Sequence, residues 1–143
     1  FERHAVGGRG GRSQRFSLSG AVMAKDNHLA VLPRSGVSVT DALRGAIARL
    51  PHTTHVEVEV DRLEQIEAVL AARIGTIMLD NFTPEDLVLG VAQVAGRATV
   101  EASGGVNLGT VRAIAETGVD VISVGALTHS APSLDLGLDI RIS

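Results

Sequence analysis

Several positions in this chain set polar or glycine residues directly behind short apolar runs, and each side-chain type suggests a different piece of chemistry. Lys25-Asp26-Asn27-His28 is the densest polar cluster. A lysine there either forms a Schiff base, if its amine is desolvated, or clamps an anion as an ammonium. Glu59 and Asp80 are carboxylates that close buried-looking runs, where charge is costly without a partner. They suit Mg²⁺ held through one or two carboxylates plus substrate phosphates, or ribose hydroxyls; the alternative is a structural bridge to Lys25 or an arginine. Glu57 alternates with valine beside Glu59, so the two point the same way, and Glu59, nearer the end of the run, is the functional candidate. Ser103-Gly104-Gly105 and Gly125-Ala126 read either as tight turns or as places where the backbone approaches a phosphate closely. His28 and His129 are acid/base or ligand candidates, with a structural role as the alternative. The histidines at 28, 52 and 55 lack the spacing of a metal-binding helix.

These residues need a frame, and the spacing of the runs supplies it. His55-Val-Glu-Val-Glu59, Thr76-Ile-Met-Leu-Asp80, Ala98-Thr-Val-Glu-Ala-Ser103 and Val121-Ile-Ser-Val-Gly125 end 21, 23 and 22 residues apart (59 to 80, 80 to 103, 103 to 125). An amphipathic helical pattern fills each gap, which is the rhythm of βα units in an α/β fold, a parallel βα-barrel of the TIM-like kind. In such barrels the carboxyl ends of the strands open on one face where ligands bind, so these end residues converge on one pocket. A further strand is expected at about 21–24. Helices are expected at about 40–50, from an N-cap at Asp61 with Glu64 three residues on, from Thr83-Pro84 to Gly96, and from Asn107 to Gly118, the last with Val111, Ile114 and Ala115 facing inward. The segment from Ala126 onward carries no clear pattern. At 143 residues the chain reads as a single domain and amounts to little more than half of a barrel of about 250 residues, so a portion of a longer protein is expected.

Composition narrows the functional classes. The chain has no cysteine, which excludes a thiolate nucleophile, a disulfide framework and a zinc finger. Aromatic content of 2 % leaves no stacking surface for bases, and no apolar run is long enough for a membrane span. The expectation is a cytoplasmic enzyme with neither nucleic-acid nor membrane partners. Arg3, Arg9, Arg12, Arg15 and Lys25 crowd the first 25 residues of a chain whose net charge is −3. A Gly-Arg segment of this kind is either a disordered RNA-binding arm or, running straight into a barrel strand, a source of bidentate contacts to a carboxylate in the pocket. Anion recognition is the preferred reading.

In series, Gly10-Gly11-x-x-Gln14-Arg15, Lys25-Asp26-Asn27-His28, Glu57-Val-Glu59-Val, Met78-Leu-Asp80-Asn81, Glu101-Ala-Ser103-Gly104-Gly105, Thr117-Gly-Val-Asp120 and Ser123-Val-Gly125-Ala126-Leu-Thr128-His129-Ser130 resemble the quinolinate phosphoribosyltransferase family. The likeness runs unbroken from about residue 5 to 139, in the carboxyl-terminal half of that enzyme. The resemblance implies a decarboxylating transfer from phosphoribosyl pyrophosphate to quinolinate, giving nicotinate mononucleotide, CO₂ and pyrophosphate in NAD biosynthesis, with Mg²⁺ as cofactor and a homodimer or higher homo-oligomer as the complete protein. It places Arg15 and Lys25 on the quinolinate carboxylates, with Gln14 and His28 beside the substrate. It places Lys25, Glu59 and Asp80 in the catalytic set, with Glu59 and Asp80 near ribose and metal. Ser103, Gly104, Gly105, Gly125 and Ala126 then cradle the 5′-phosphate, and His129 lies in a Thr-His-Ser turn at the substrate.

Two departures from the family pattern stand out. Gln14 replaces a histidine, and Arg9 interrupts a run of glycines; glutamine hydrogen-bonds a carboxylate but adds no positive charge. The family's Thr-Arg-Lys-Thr segment, its amino-terminal domain and first barrel strands, and an arginine lent across its dimer are expected to lie before Phe1. Two competing readings carry different chemistry: a Schiff-base lyase that uses Lys25 in a phosphate-binding barrel, and a non-catalytic remnant whose open strand edges favour self-association.

Overall fold

The computed structural model describes residues 21–25 and 36–125. Within them five strands alternate with helices: β1 (Ala21–Ala24), α1 (Val39–Ile47), β2 (His55–Val60), a 3₁₀ turn (Leu63–Gln65) leading into α2 (Ile66–Ala71), β3 (Thr76–Asp80), α3 (Pro84–Val94), β4 (Thr99–Ser103), α4 (Val111–Ala115) and β5 (Val121–Ile122). All strand pairs are parallel and the sheet order is β1-β2-β3-β4-β5. Strictly sequential parallel pairing, each crossover carrying a helix, is the order of a βα barrel rather than of a doubly wound sheet, whose order reverses. The expected α/β class and the alternation of strands with helices therefore hold, although β5 ends at Ile122, short of the expected end at Gly125.

Local chemistry explains most boundaries. Ser38 caps α1, its hydroxyl accepting from the Asp41 amide at 3.1 Å, and Thr83 caps α3 in the same way through the Asp86 amide at 3.2 Å, with Pro84 in the first turn. At the far end of α3, Ala95 and Gly96 both take positive φ, 50° and 71°, so the left-handed stop begins one residue before the expected glycine. Three expectations need correction. α1 ends at Ile47 rather than near 50, its last turn tightening as Arg49 and Leu50 amides bond Ala46 and Ile47 carbonyls. The α2 segment is not capped by Asp61 with Glu64. Instead Gln65 reaches back, its Oε1 accepting from the Asp61 and Arg62 amides at 3.0 and 3.2 Å, because a 3₁₀ turn precedes the helix and puts the fifth side chain over the orphan donors. In α4, Ile114 is buried and Val111, half-buried, packs against the core as expected, but Ala115 is exposed, since a helix of five residues turns only a narrow stripe inward.

The register sorts the sheet into two unlike faces. Val58, Val60, Ile77, Leu79, Val100 and Ala102 share one face and join Leu43, Ile66, Val69, Leu70, Leu87, Val94 and Ile114 from the helices in one apolar core. Successive strand side chains alternate, so the other face carries Glu57, Glu59, Thr76, Met78, Asp80, Glu101 and Ser103; the pairs Glu57–Thr76, Glu59–Met78, Met78–Glu101 and Asp80–Ser103 sit side by side. A fully covered parallel sheet ordinarily reads as continuous apolar residues on both faces. Here the face away from the helices is polar, yet Glu57, Glu59, Thr76 and Glu101 are buried. Burying three glutamates is costly without partners, which makes this face the first place to look for a site.

Candidate phosphoribose site at the carboxyl ends of the strands

The two carboxylates singled out in the sequence stand at neighbouring strand ends, one step apart along the sheet. Glu59 is 8 % exposed and its Oε2 lies 3.5 Å from Lys25 Nζ. Lys25 follows β1 directly, and the register Ala24–Val58 sets it beside Glu59. Its side chain is 56 % exposed against 11 % for that of Glu59, so a solvent-facing ammonium covers a sunken carboxylate. That exposure argues against a Schiff-base amine, which calls for a dry pocket. Asp80, half-buried at the end of β3, accepts from Asn81 Nδ2 at 2.8 Å.

The Ser103-Gly104-Gly105 turn leaves β4 beside Asp80. Its glycines have φ of +82° and +61°, a region open to glycine at little cost. A Cβ on Gly104 would strike the Asn81 side chain and lie 2.9 Å from the Asn81 amide nitrogen, so the two strand ends touch here without space to spare. The turn is fixed from behind: the Gly105 carbonyl accepts from Thr110 Oγ1 at 3.0 Å and from Asn107 Nδ2 at 3.2 Å, while Asn107 Oδ1 accepts from the Gly109 and Thr110 amides. Gly105 and Gly125 each have no described atom within 4 Å of where a Cβ would sit. Deeper on the same face, Glu101 accepts a hydrogen bond from Ser123 Oγ, tying β4 to the segment after β5.

Lys25, Glu59, Asp80, Ser103, Gly104 and Gly105 are thus gathered at one end of one sheet face, and Gly125 closes the described chain beyond β5. Gln14, Arg15, His28, Ala126 and His129 lie outside the described residues. Sequence reasoning passed over Asn81, Asn107, Thr110 and the Glu101–Ser123 pair. Asn81 carried a usable signal, because asparagine is enriched several-fold at positive φ and it directly follows a strand-end aspartate. The helix start expected at Asn107 is instead a turn ahead of α4, built by the Asn107 side-chain amide.

As to metal, Glu59 and Asp80 offer hard oxygen donors. No group of three or more His, Cys, Asp or Glu side chains able to hold a metal occurs among the described residues. That donor set fits Mg²⁺, which is commonly bound through one or two carboxylates with the remaining positions filled by water and substrate phosphate. No described helix is long and apolar enough to cross a membrane.

Known proteins have sequences similar to this chain. Residues 1–139 match the family described as quinolinate phosphoribosyl transferase, C-terminal domain. A probable nicotinate-nucleotide pyrophosphorylase (carboxylating) of Methanocaldococcus jannaschii is 40 % identical over 98 % of the chain and 50 % of its own length. The nicotinate-nucleotide pyrophosphorylase of Mycobacterium leprae is 42 % identical over 98 % and 49 %, and that of Homo sapiens 40 % identical over 92 % and 44 %. Among solved structures, NadC from Streptococcus pyogenes superposes with a TM-score of 0.81 at 41 % identity, covering 94 % of this chain and 46 % of that one. A protein named QR15, an aldolase, shares the fold with a TM-score of 0.56 at 22 % identity. The chain spans about half the length of the curated relatives it matches. With the motifs in unbroken order, the sequential parallel sheet and the strand-end carboxylates and glycines together, the chain belongs to the quinolinate phosphoribosyltransferase family, in the region of its C-terminal domain.

Proposed function

We propose that this chain is the phosphoribose-binding portion of a single-domain α/β barrel in a decarboxylating quinolinate phosphoribosyltransferase, and that sequence making up the other half of the relatives' length completes the aromatic-acid side. The observation that carries the reading is the meeting of the Lys25–Glu59 pair, at 3.5 Å, with Asp80 and the Gly104–Gly105 turn on one buried polar sheet face. The pyridine nitrogen of quinolinate attacks C1 of phosphoribosyl pyrophosphate as the bond from C1 to the pyrophosphate oxygen breaks. The 2-carboxylate then leaves as CO₂, and the electron pair left on the ring carbon takes up a proton.

Each side chain has a task in that sequence. Glu59 and Asp80 face a sugar that becomes cationic at C1 as the leaving group departs, and fixed carboxylates in a water-poor site stabilise such charge without reorganising. Glu59 and Asp80 would hold Mg²⁺, which would supply neutralising charge to the pyrophosphate leaving group. Lys25 and Arg15 hold the carboxylates of quinolinate, assisted by Gln14 and His28. Ser103, Gly104, Gly105, Gly125 and Ala126 surround the 5′-phosphate, with His129 nearby, and the space at Gly105, where no described atom lies within 4 Å of a Cβ position, is room for its oxygens. The ion pair between Lys25 and Glu59 favours this transfer over a Schiff-base lyase, because the amine is committed to a carboxylate and open to water. A cytoplasmic location belongs to the same reading. A homodimer or higher homo-oligomer belongs to the same reading.

Isothermal titration of the complete protein with phosphoribosyl pyrophosphate and Mg²⁺ tests it. Saturable binding that is lost on Glu59→Ala is expected. Absence of binding by the parent, with no change on Glu59→Ala, contradicts it.

A further inference from the structure

The geometry points to Asn81 as a positioning residue that holds the Asp80 carboxylate toward the phosphoribosyl substrate and sets its distance from the Gly104–Gly105 turn. This role rests on the functional reading above. Four observations converge on the one side chain. Asn81 has φ of +56°, a left-handed conformation that an L-residue other than glycine adopts at some cost, and that turns its side chain back over the strand end. Its Nδ2 donates to Asp80 Oδ2 at 2.8 Å. Its backbone amide donates to the Ser103 carbonyl at 2.9 Å, which extends the β3–β4 ladder one residue past the strand and pins Asn81 in register with the β4 turn. The Oδ1 end of the same amide lies against Gly104, so closely that a Cβ there would overlap it.

The amide is therefore a two-ended spacer. A carboxylate can only accept, so the nitrogen end faces Asp80 and the oxygen end faces Gly104. An aspartate at the tip of a strand has free rotation about its terminal bond; a donor fixed by the backbone of the next strand removes that freedom before substrate arrives. Pre-oriented groups contribute through the reorganisation they spare. Asn81 needs no contact with the sugar for this, because it acts through Asp80.

The test uses phosphoribosyl pyrophosphate with Mg²⁺ as the titrant and the complete protein carrying Asn81→Gly, Asn81→Asp, Asp80→Ala or the double variant Asp80→Ala/Asn81→Gly. Glycine and aspartate both tolerate the left-handed backbone, so thermal midpoints within about 3 °C of the parent are expected. Each Asn81 variant should bind about tenfold more weakly, the size of a lost hydrogen bond to a charged group, while KM for quinolinate stays within about twofold. In the Asp80→Ala background the Asn81→Gly change should have no further effect, since the group it orients is gone. Full additivity of the two changes, or an Asn81→Gly affinity equal to that of the parent, overturns the role of Asn81 alone. Failure of the parent itself to bind overturns the functional reading and this role with it.

Discussion

A methyl group on Gly104 has no place to go, because the Asn81 side chain and its amide nitrogen, 2.9 Å from the position a Cβ would take, already fill the space, and φ of +82° strains any side chain. Gly104→Ala is expected to destabilise the protein by about 1–3 kcal/mol in urea unfolding, and to weaken phosphoribosyl pyrophosphate binding at least as much as Asn81→Gly, since it pushes Asp80 and the turn apart. Gly105→Ala meets no described atom within 4 Å, so its penalty comes from φ alone and is smaller. At this scale the sequence was legible where period 2 applies. Glu57 and Glu59 alternate with valine, and both are buried on the face away from the helix-packed core. What could not be read was the pairing of Asp80 with Ser103, because register depends on which strands are neighbours. For Asn81 the sequence carries the turn signal but not the spacer role, which only the adjacent strand creates.

Among the elements, α3 packs tightly on the sheet at one glycine. A Cβ on Gly90 would approach Leu79 Cδ1 to 2.8 Å and Ile66 and Leu63 to 3.6 Å, so the helix backbone there rests directly on the Leu79 side chain of β3. Gly90→Val is expected to cost about 1–3 kcal/mol by overpacking, read as a lower urea midpoint with an unchanged slope. The α3 end is tied to α2 by Arg97, which makes a bidentate pair with Glu67 at 2.6 and 3.2 Å and also bonds the Gln93 and Val94 carbonyls. The hydrogen bond from Arg97 holds the Glu67 carboxyl below its ordinary value; desolvation opposes it, and direct charge attraction, the least of the three causes, adds to it. A depressed folded-state value contributes stability above the ordinary value and loses it as pH falls through the lowered one. Arg97→Gln should therefore be slightly less stable than the parent at neutral pH, and the gap should close as pH drops below 4.5; a gap constant down to pH 3 refutes the assignment. The pair is exposed, so the effect is small. Helix starts with a side-chain oxygen and a proline, as at Thr83-Pro84, were legible because the cap is local. The start of α2 was not, because the intervening 3₁₀ turn moves the capping role from Glu64 to Gln65.

For the whole molecule, the sequential parallel order brings every described strand end to one side of the sheet, so residues far apart in sequence, from Lys25 to Ser103, meet without a long loop. This much was written in the repeat of 21 to 23 residues, since equal spacing leaves room for one helix per crossover and no reversal of order. The division of labour within the pocket was less legible, because it depends on contacts between strands and on sequence beyond this half of the family's length. The central claim is that a phosphoribose site built on Glu59, Asp80 and the glycine turn serves decarboxylating transfer to quinolinate. Its most direct test is turnover of carboxyl-labelled quinolinate by the complete protein with phosphoribosyl pyrophosphate and Mg²⁺, comparing parent with Glu59→Gln. Nicotinate mononucleotide and labelled CO₂ should appear in equal amounts, falling about 10²-fold or more in the variant. Absence of both products from the parent, or equal rates in parent and variant, would contradict the account.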